Sequence, residues 1–110
     1  MPSSYKVLGR SAPSATTATE LYAVPSSTSA VISTITVCNR SASARTYRIA
    51  VKPTSGTTLA NEHYIAYDVA IAANDTTALT LGLTLATGNS LVVYASTADL
   101  TFQAFGSEIV

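Results

Sequence analysis

From Glu20 onward, apolar and polar residues alternate with a period of two. That is the repeat of a half-buried β-strand, whose successive side chains point to opposite faces. Arg45 to Lys52 is the clearest instance. Tyr47, Ile49 and Val51 fall on one face, and Thr46, Arg48 and Lys52 on the other. Ala30 to Cys38 is β-branched almost throughout, which suits a pleated, packed surface. A shorter run, Leu21 to Val24, stops at Pro25. Further strands are predicted at His63–Tyr67, Val69–Ala72, Thr77–Leu81, Ser90–Ala95 and Leu100–Phe105. Turn chemistry separates most of them, at Ala73-Asn74-Asp75, Thr87-Gly88-Asn89 and Thr97-Ala98-Asp99. The polar loop from Asn39 to Ala44 has hairpin length and is expected to join its two flanking strands directly.

Strands recurring every 8–12 residues or so mark an all-β sandwich or barrel. Helical spacing is never sustained for three turns, and Thr58 to His63 offers one turn at most. The expected core faces are Tyr47/Ile49/Val51, Leu91/Val93 and Leu100/Phe102. Ahead of this region, Met1 to Thr19 is polar and broken by Pro2 and Pro13, with room for one short strand at Tyr5–Leu8. The chain therefore reads as all-β: a small single-domain antiparallel β-sandwich, jelly-roll-like, over residues 20–110. An extended N-terminal arm over residues 1–19 precedes it. A sandwich has edges, and Ala30–Cys38, with neither charge nor proline, would need a cover if it lay at one.

Composition sharpens this picture. At 110 residues with 47% hydrophobic and 11% charged side chains, the chain can bury one core. Disordered segments have the opposite balance. Ala, Ser and Thr account for 49 residues; such short side chains lose little entropy when a neighbour covers them. The formal charge is zero, but residues 1–55 hold all six cations and only one acid, Glu20. Either the halves present different surfaces, or they interleave and neutralise one another locally. Met1–Gly9 lacks the apolar stretch of a signal peptide, and no run approaches the length of a membrane span. The chain is expected to be made in a reducing cytoplasm, with no membrane partner.

The search for chemistry returns little. Cys38 is the one cysteine and is expected to be a buried, inert thiol. His63 is the one histidine and is expected at a strand start, hydrogen-bonded at the surface. One histidine, one cysteine and scattered acids match no usual metal-ligand spacing. No serine sits in a nucleophile elbow, and the five glycines form no phosphate-binding loop. No catalytic, cofactor-binding or metal-binding residue is expected, and no enzyme activity. Asn39-Arg40-Ser41 and Asn74-Asp75-Thr76 match the glycosylation sequon, which carries little meaning without a secretion signal. Arg40, Arg45, Arg48 and Lys52 form the one charge cluster and are the candidate partner-contact residues. A neutral chain is a poor nucleic-acid binder, so these cations are expected on an interface or solvated strand face. If the sandwich instead bound carbohydrate, exposed aromatics on one face would do it, and Tyr22, Tyr64, Tyr67 and Tyr94 are the candidates.

Five segments, SAVISTITVCNR (29–40), TYRIAV (46–51), HYIAYDVAIAANDT (63–76), LTLGLTLATGNSLVVYAS (79–96) and LTFQAFGSEIV (100–110), carry a resemblance. Together they resemble a family of small virion proteins of tailed bacteriophages of the cyanophage type. The resemblance implies a non-enzymatic β-sandwich structural protein on the exterior of the virion, with no catalytic residues to carry over. Capsid decoration, in which the protein cements the shell, is the first role it suggests; a neck, tail, baseplate or fibre attachment is the second. The implied partners are copies of the chain itself, as a homo-oligomer or lattice, and other virion proteins such as the major capsid or neck and tail proteins.

Overall fold

The computed structural model describes residues 3–110. It contains eight strands: β1 (Ser3–Ser11), β2 (Thr19–Ala23), β3 (Ser29–Asn39), β4 (Arg45–Lys52), β5 (Tyr64–Ile71), β6 (Thr76–Leu85), β7 (Ser90–Ala95) and β8 (Leu100–Ile109). A single 3-10 turn, Asn61–His63, leads into β5. The strands form two four-stranded antiparallel sheets, with orders β1-β8-β3-β6 (sheet A) and β2-β7-β4-β5 (sheet B). First meets last, second meets seventh, third meets sixth and fourth meets fifth. This is a long antiparallel ribbon rolled up once, the jelly-roll arrangement of an all-β sandwich.

The core lies between the sheets and is built by alternation, which slips by one residue at the irregularity between Ile32 and Thr34 of β3. Ile32, Ile35 and Val37 of β3, Tyr47 and Ile49 of β4, Leu91 and Val93 of β7, and Leu100 and Phe102 of β8 are all at most 1% exposed. Tyr47 and Phe102 meet edge to face across the gap, with ring centroids 6.3 Å apart. Each large buried side chain contributes about 1.5–3 kcal/mol relative to exposure. Val51, expected with this set, is only half-buried at the rim.

Several sequence expectations need correction. The extended arm expected over residues 1–19 is in its described part largely a strand of the sandwich. Ser3–Ser11 is strand β1, paired along its length with β8 and completing one edge of sheet A; Met1 and Pro2 lie outside the described residues. The polar side chains that suggested an arm are those of an edge strand, exposed on their outer side. Nor do β3 and β4 form a hairpin, because they belong to different sheets. Asn39 explains the crossover. Its side chain is buried, with Nδ2 donating to the carbonyls of Ser43 and Ala72 and Oδ1 accepting from the Ser41 amide. The loop thus wraps a polar pin instead of turning back on its own strand. The split expected at Asp68 is a kink within one continuous strand, β5. Cys38 is half-buried on the outer face of sheet A, opposite Thr76 and Thr101, and not in the core. Its apolar neighbours alternate, and its own position points outward. Finally, β3 lies inside sheet A, so the edges needing cover are β1 and β6.

Sheet A bends along one line. Register shifts occur at Val7/Gly9 on β1, opposite Phe105 and Ala104 of β8, and at Ile32/Thr34 on β3, opposite Gly106 and Phe105. A methyl group at Gly106 would sit 1.9 Å from the Val31 carbonyl oxygen, and one at Gly9 would sit 2.2 Å from that of Leu21. Both glycines are required by close backbone approach. Gly106→Ala is therefore expected to cost at least about 1–3 kcal/mol by forcing the strands apart. Gly56→Ala, with nothing within 4 Å, is the matched control and should change little. Chemical denaturation of both variants checks this, and equal midpoints would refute it.

The two sheets are also joined at this end by a polar triad. Lys6 Nζ lies 2.6 Å from Glu108 Oε1, and the Tyr22 hydroxyl donates to Glu108 Oε2 at 2.5 Å. Lys6 foremost, then Tyr22, holds the Glu108 carboxyl below its ordinary value, while burial beside Glu108 pushes the Tyr22 hydroxyl up. A carboxyl depressed in the folded state stabilises fully above its unfolded value of about 4.3 and loses that contribution as pH falls through the folded value. Glu108→Gln should therefore be less stable than wild type at neutral pH, with the gap closing in acid. Melting curves across that range check it, and a gap independent of pH would exclude the linkage.

Candidate functional site

On β4, alternation turns Arg48 and Lys52 away from the core, opposite Tyr94 and Ser90 of β7. They share a strand face, as the sequence pattern required. Across the other side of β4 the register is broken. Between the pairs Tyr47–Val69 and Ile49–Ala66, β4 offers one residue, Arg48, where β5 offers Tyr67 and Asp68. This is a β-bulge, which re-aims side chains and increases local twist. Asp68 takes φ +50°, in the left-handed region that non-glycine residues seldom occupy. As a result two consecutive side chains reach the same guanidinium.

Arg48 Nε donates to Asp68 Oδ1 at 2.6 Å and Nη2 to Oδ2 at 3.3 Å. Its guanidinium carbon lies 4.1 Å from the Tyr67 ring centroid and 4.3 Å from that of Tyr94. Tyr64 extends the group, its ring 4.9 Å from that of Tyr67 and nearly perpendicular to it at 86°. Beside these two rings, Asn61 completes the wall of a shallow hollow of about 370 Å³. Tyr64, Tyr67 and Tyr94 thus come together on the outside of sheet B. Tyr22 does not join them: it is buried, with its hydroxyl committed to Glu108.

The four basic residues do not form one patch. Arg40 donates to Thr101 Oγ1 and the Ala98 carbonyl, and Arg45 pairs with Asp99 at 3.3 Å, so both brace the turn between β7 and β8. The Thr97 hydroxyl, then Arg45, holds the Asp99 carboxyl below its usual range. Lys52 donates to the Ser55 carbonyl. His63 is half-buried at the end of the 3-10 turn, where Nδ1 accepts from the Ala60 amide. No group of three or more metal-ligating side chains occurs among the described residues.

No protein-family model, curated protein or solved structure matches this chain.

Pattern reading placed Arg48 and the three tyrosines as separate candidates; their convergence depends on the bulge. The signal that could have found it is the polar Asp68 interrupting an apolar strand, since an extra residue there rotates everything before it. Asp68→Asn removes the charge that fixes the guanidinium. In that variant the Arg48 Nε proton should exchange with water markedly faster than in wild type, as followed by NMR. Unchanged exchange would show that the tyrosine rings alone immobilise Arg48.

Proposed function

We propose that this protein is a non-enzymatic structural component of a tailed-phage virion, docking on the particle exterior as a capsid decoration protein through sheet A. The observation that carries the proposal is the β6 edge. Its ten residues, TTALTLGLTL, contain neither charge nor proline. An edge strand presents unpaired N–H and C=O groups, and natural proteins block such edges with lysine, proline or a covering element. The break in β6 at Leu81–Gly82 leaves Leu81 43% exposed, which adds an apolar contact without blocking the flanking backbone. Toward the opposite edge, Tyr5 is 85% exposed and borders an apolar hollow of about 630 Å³ walled by Val7, Val31 and Phe105. Between them the outer face carries Thr34, Thr36, Thr76, Thr80 and Thr101, short groups that are cheap to immobilise.

The jelly roll is an architecture that viral capsid proteins use, and lectins use it as well. The resemblance of the strand segments to phage virion proteins supports the first of these. The interaction expected is addition of a neighbour's strand or side chains along β6, from another copy of the chain or from the shell protein.

Lysines at Thr80 and Leu81 would place charge on the edge without entering the core. The double variant Thr80→Lys/Leu81→Lys is expected to retain the wild-type circular dichroism and melting temperature while losing self-association in sedimentation and occupancy on purified particles. Wild-type occupancy by the variant would eliminate β6 as the docking edge. Absence of the wild-type protein from purified virions would defeat the virion reading itself.

A further inference from the structure

We infer that the corner formed by Asn61, Tyr64 and Tyr67 on the outside of sheet B binds a neutral saccharide. Two tyrosine rings at 86° give the hollow a floor and a wall. The C–H face of a pyranose packs on one such ring while its edge meets the other, burying apolar area against a rigid surface. Asn61 supplies both donor and acceptor atoms for sugar hydroxyls. Its side chain is exposed and makes no hydrogen bond to any other described residue.

Charge decides among ligand classes. A cationic ligand seated on Tyr67 would lie close to the Arg48 guanidinium, 4.1 Å from the centroid of that ring. An anion would gain little from Arg48, the cation beside Tyr67, because its guanidinium is held by both oxygens of Asp68. Exposed Glu62, next to Asn61, adds a negative charge that works further against an anion. A neutral ring with hydroxyls is the class left with favourable contacts and no charge penalty.

The corner is also pre-formed, which lowers the ordering cost of binding. Tyr67 is held from one side by Arg48, and the turn carrying Asn61 is closed by the His63 amide donating to the Ala60 carbonyl and the Ala60 amide donating to His63 Nδ1. Asp68, at φ +50°, keeps the bulge that places Tyr67 here. Non-glycine residues in this region carry strain and concentrate at sites of function. The inference stands on these side chains alone and would hold in any assembly. Sheet B is the face opposite the proposed docking surface, so a particle-bound copy would present the corner outward.

The test is an NMR titration of the full chain with methyl β-glucoside, methyl β-galactoside and the trimer of N-acetylglucosamine. Tetramethylammonium and inorganic phosphate serve as charged probes. At least one sugar is expected to shift Asn61, Tyr64 and Tyr67 selectively, with a Kd of about 1–10 mM as suits a shallow two-ring site. Tyr67→Ala should weaken that binding at least about tenfold, and Tyr67→Phe, which keeps the ring, should retain it. If Tyr67→Ala fails to fold, Asn61→Ala, on an exposed turn, must show the weakening instead. The inference is overturned if no sugar shifts these residues at about 50 mM, well above the expected Kd. It is overturned equally if only tetramethylammonium or phosphate does so, or if the shifts merely track protein concentration and report self-association.

Discussion

The close approach of the Val31 carbonyl to Gly106 governs the shape of this sandwich. At that point β8 tolerates no side-chain carbon and β3 shifts register, and β1 shifts one residue further along, opposite Phe105 and Ala104. The bend it allows carries β1 across to the other sheet, where Gly9 meets the Leu21 carbonyl in the same manner. Lys6 and Glu108 are diagonal neighbours on the paired strands β1 and β8, and Tyr22 of β2 reaches Glu108 from the other sheet. Two glycines therefore do what a longer loop or a larger core would otherwise have to do.

The charge pattern follows from the same rolled-up ribbon. Each sheet takes two strands from the first half of the chain and two from the second. The three ion pairs among the described residues, Lys6–Glu108, Arg45–Asp99 and Arg48–Asp68, each join an early cation to a late acid. Three of the six cations are thus neutralised locally by acids from the other half of the chain. The association proposed at the β6 edge relies on backbone and short hydroxyl groups, which act at contact distance and are little affected by salt.

How much of this was legible in the sequence depended on how local the cause was. β4 and β7 were readable to the residue, because the alternation of one and the unbroken apolar run of the other are both bounded by turn residues. β6 and β8 run longer than their apolar runs suggested, since pairing partners extend a strand past its own hydrophobic signal. The non-local features were hidden. A polar stretch such as Ser3–Ser11 reads alike whether it hangs free or lies along β8, for the difference resides in the partner. Asn39 looked like one more polar loop residue, yet it is the buried group around which two crossovers close. Its contact at Ala72, 33 residues away, lies outside any pattern a window would detect. The tyrosine corner was half-visible: its residue types were identifiable, but their convergence rests on a single inserted residue.

The bulges connect shape to chemistry. In sheet A they bend the backbone and leave an outer face of threonines and an uncharged edge. In sheet B one bulge turns Tyr67 and Asp68 toward Arg48 and builds an ordered aromatic surface. A regular eight-stranded sandwich would lack the aromatic surface, because strict alternation would place Tyr67 and Asp68 on opposite faces of sheet B. The fold by itself specifies no activity, since the same architecture serves shells and lectins alike. The departures from regularity are where this chain becomes particular. They give its two faces different chemistry, one suited to strand addition and close packing, the other to a small polar ring.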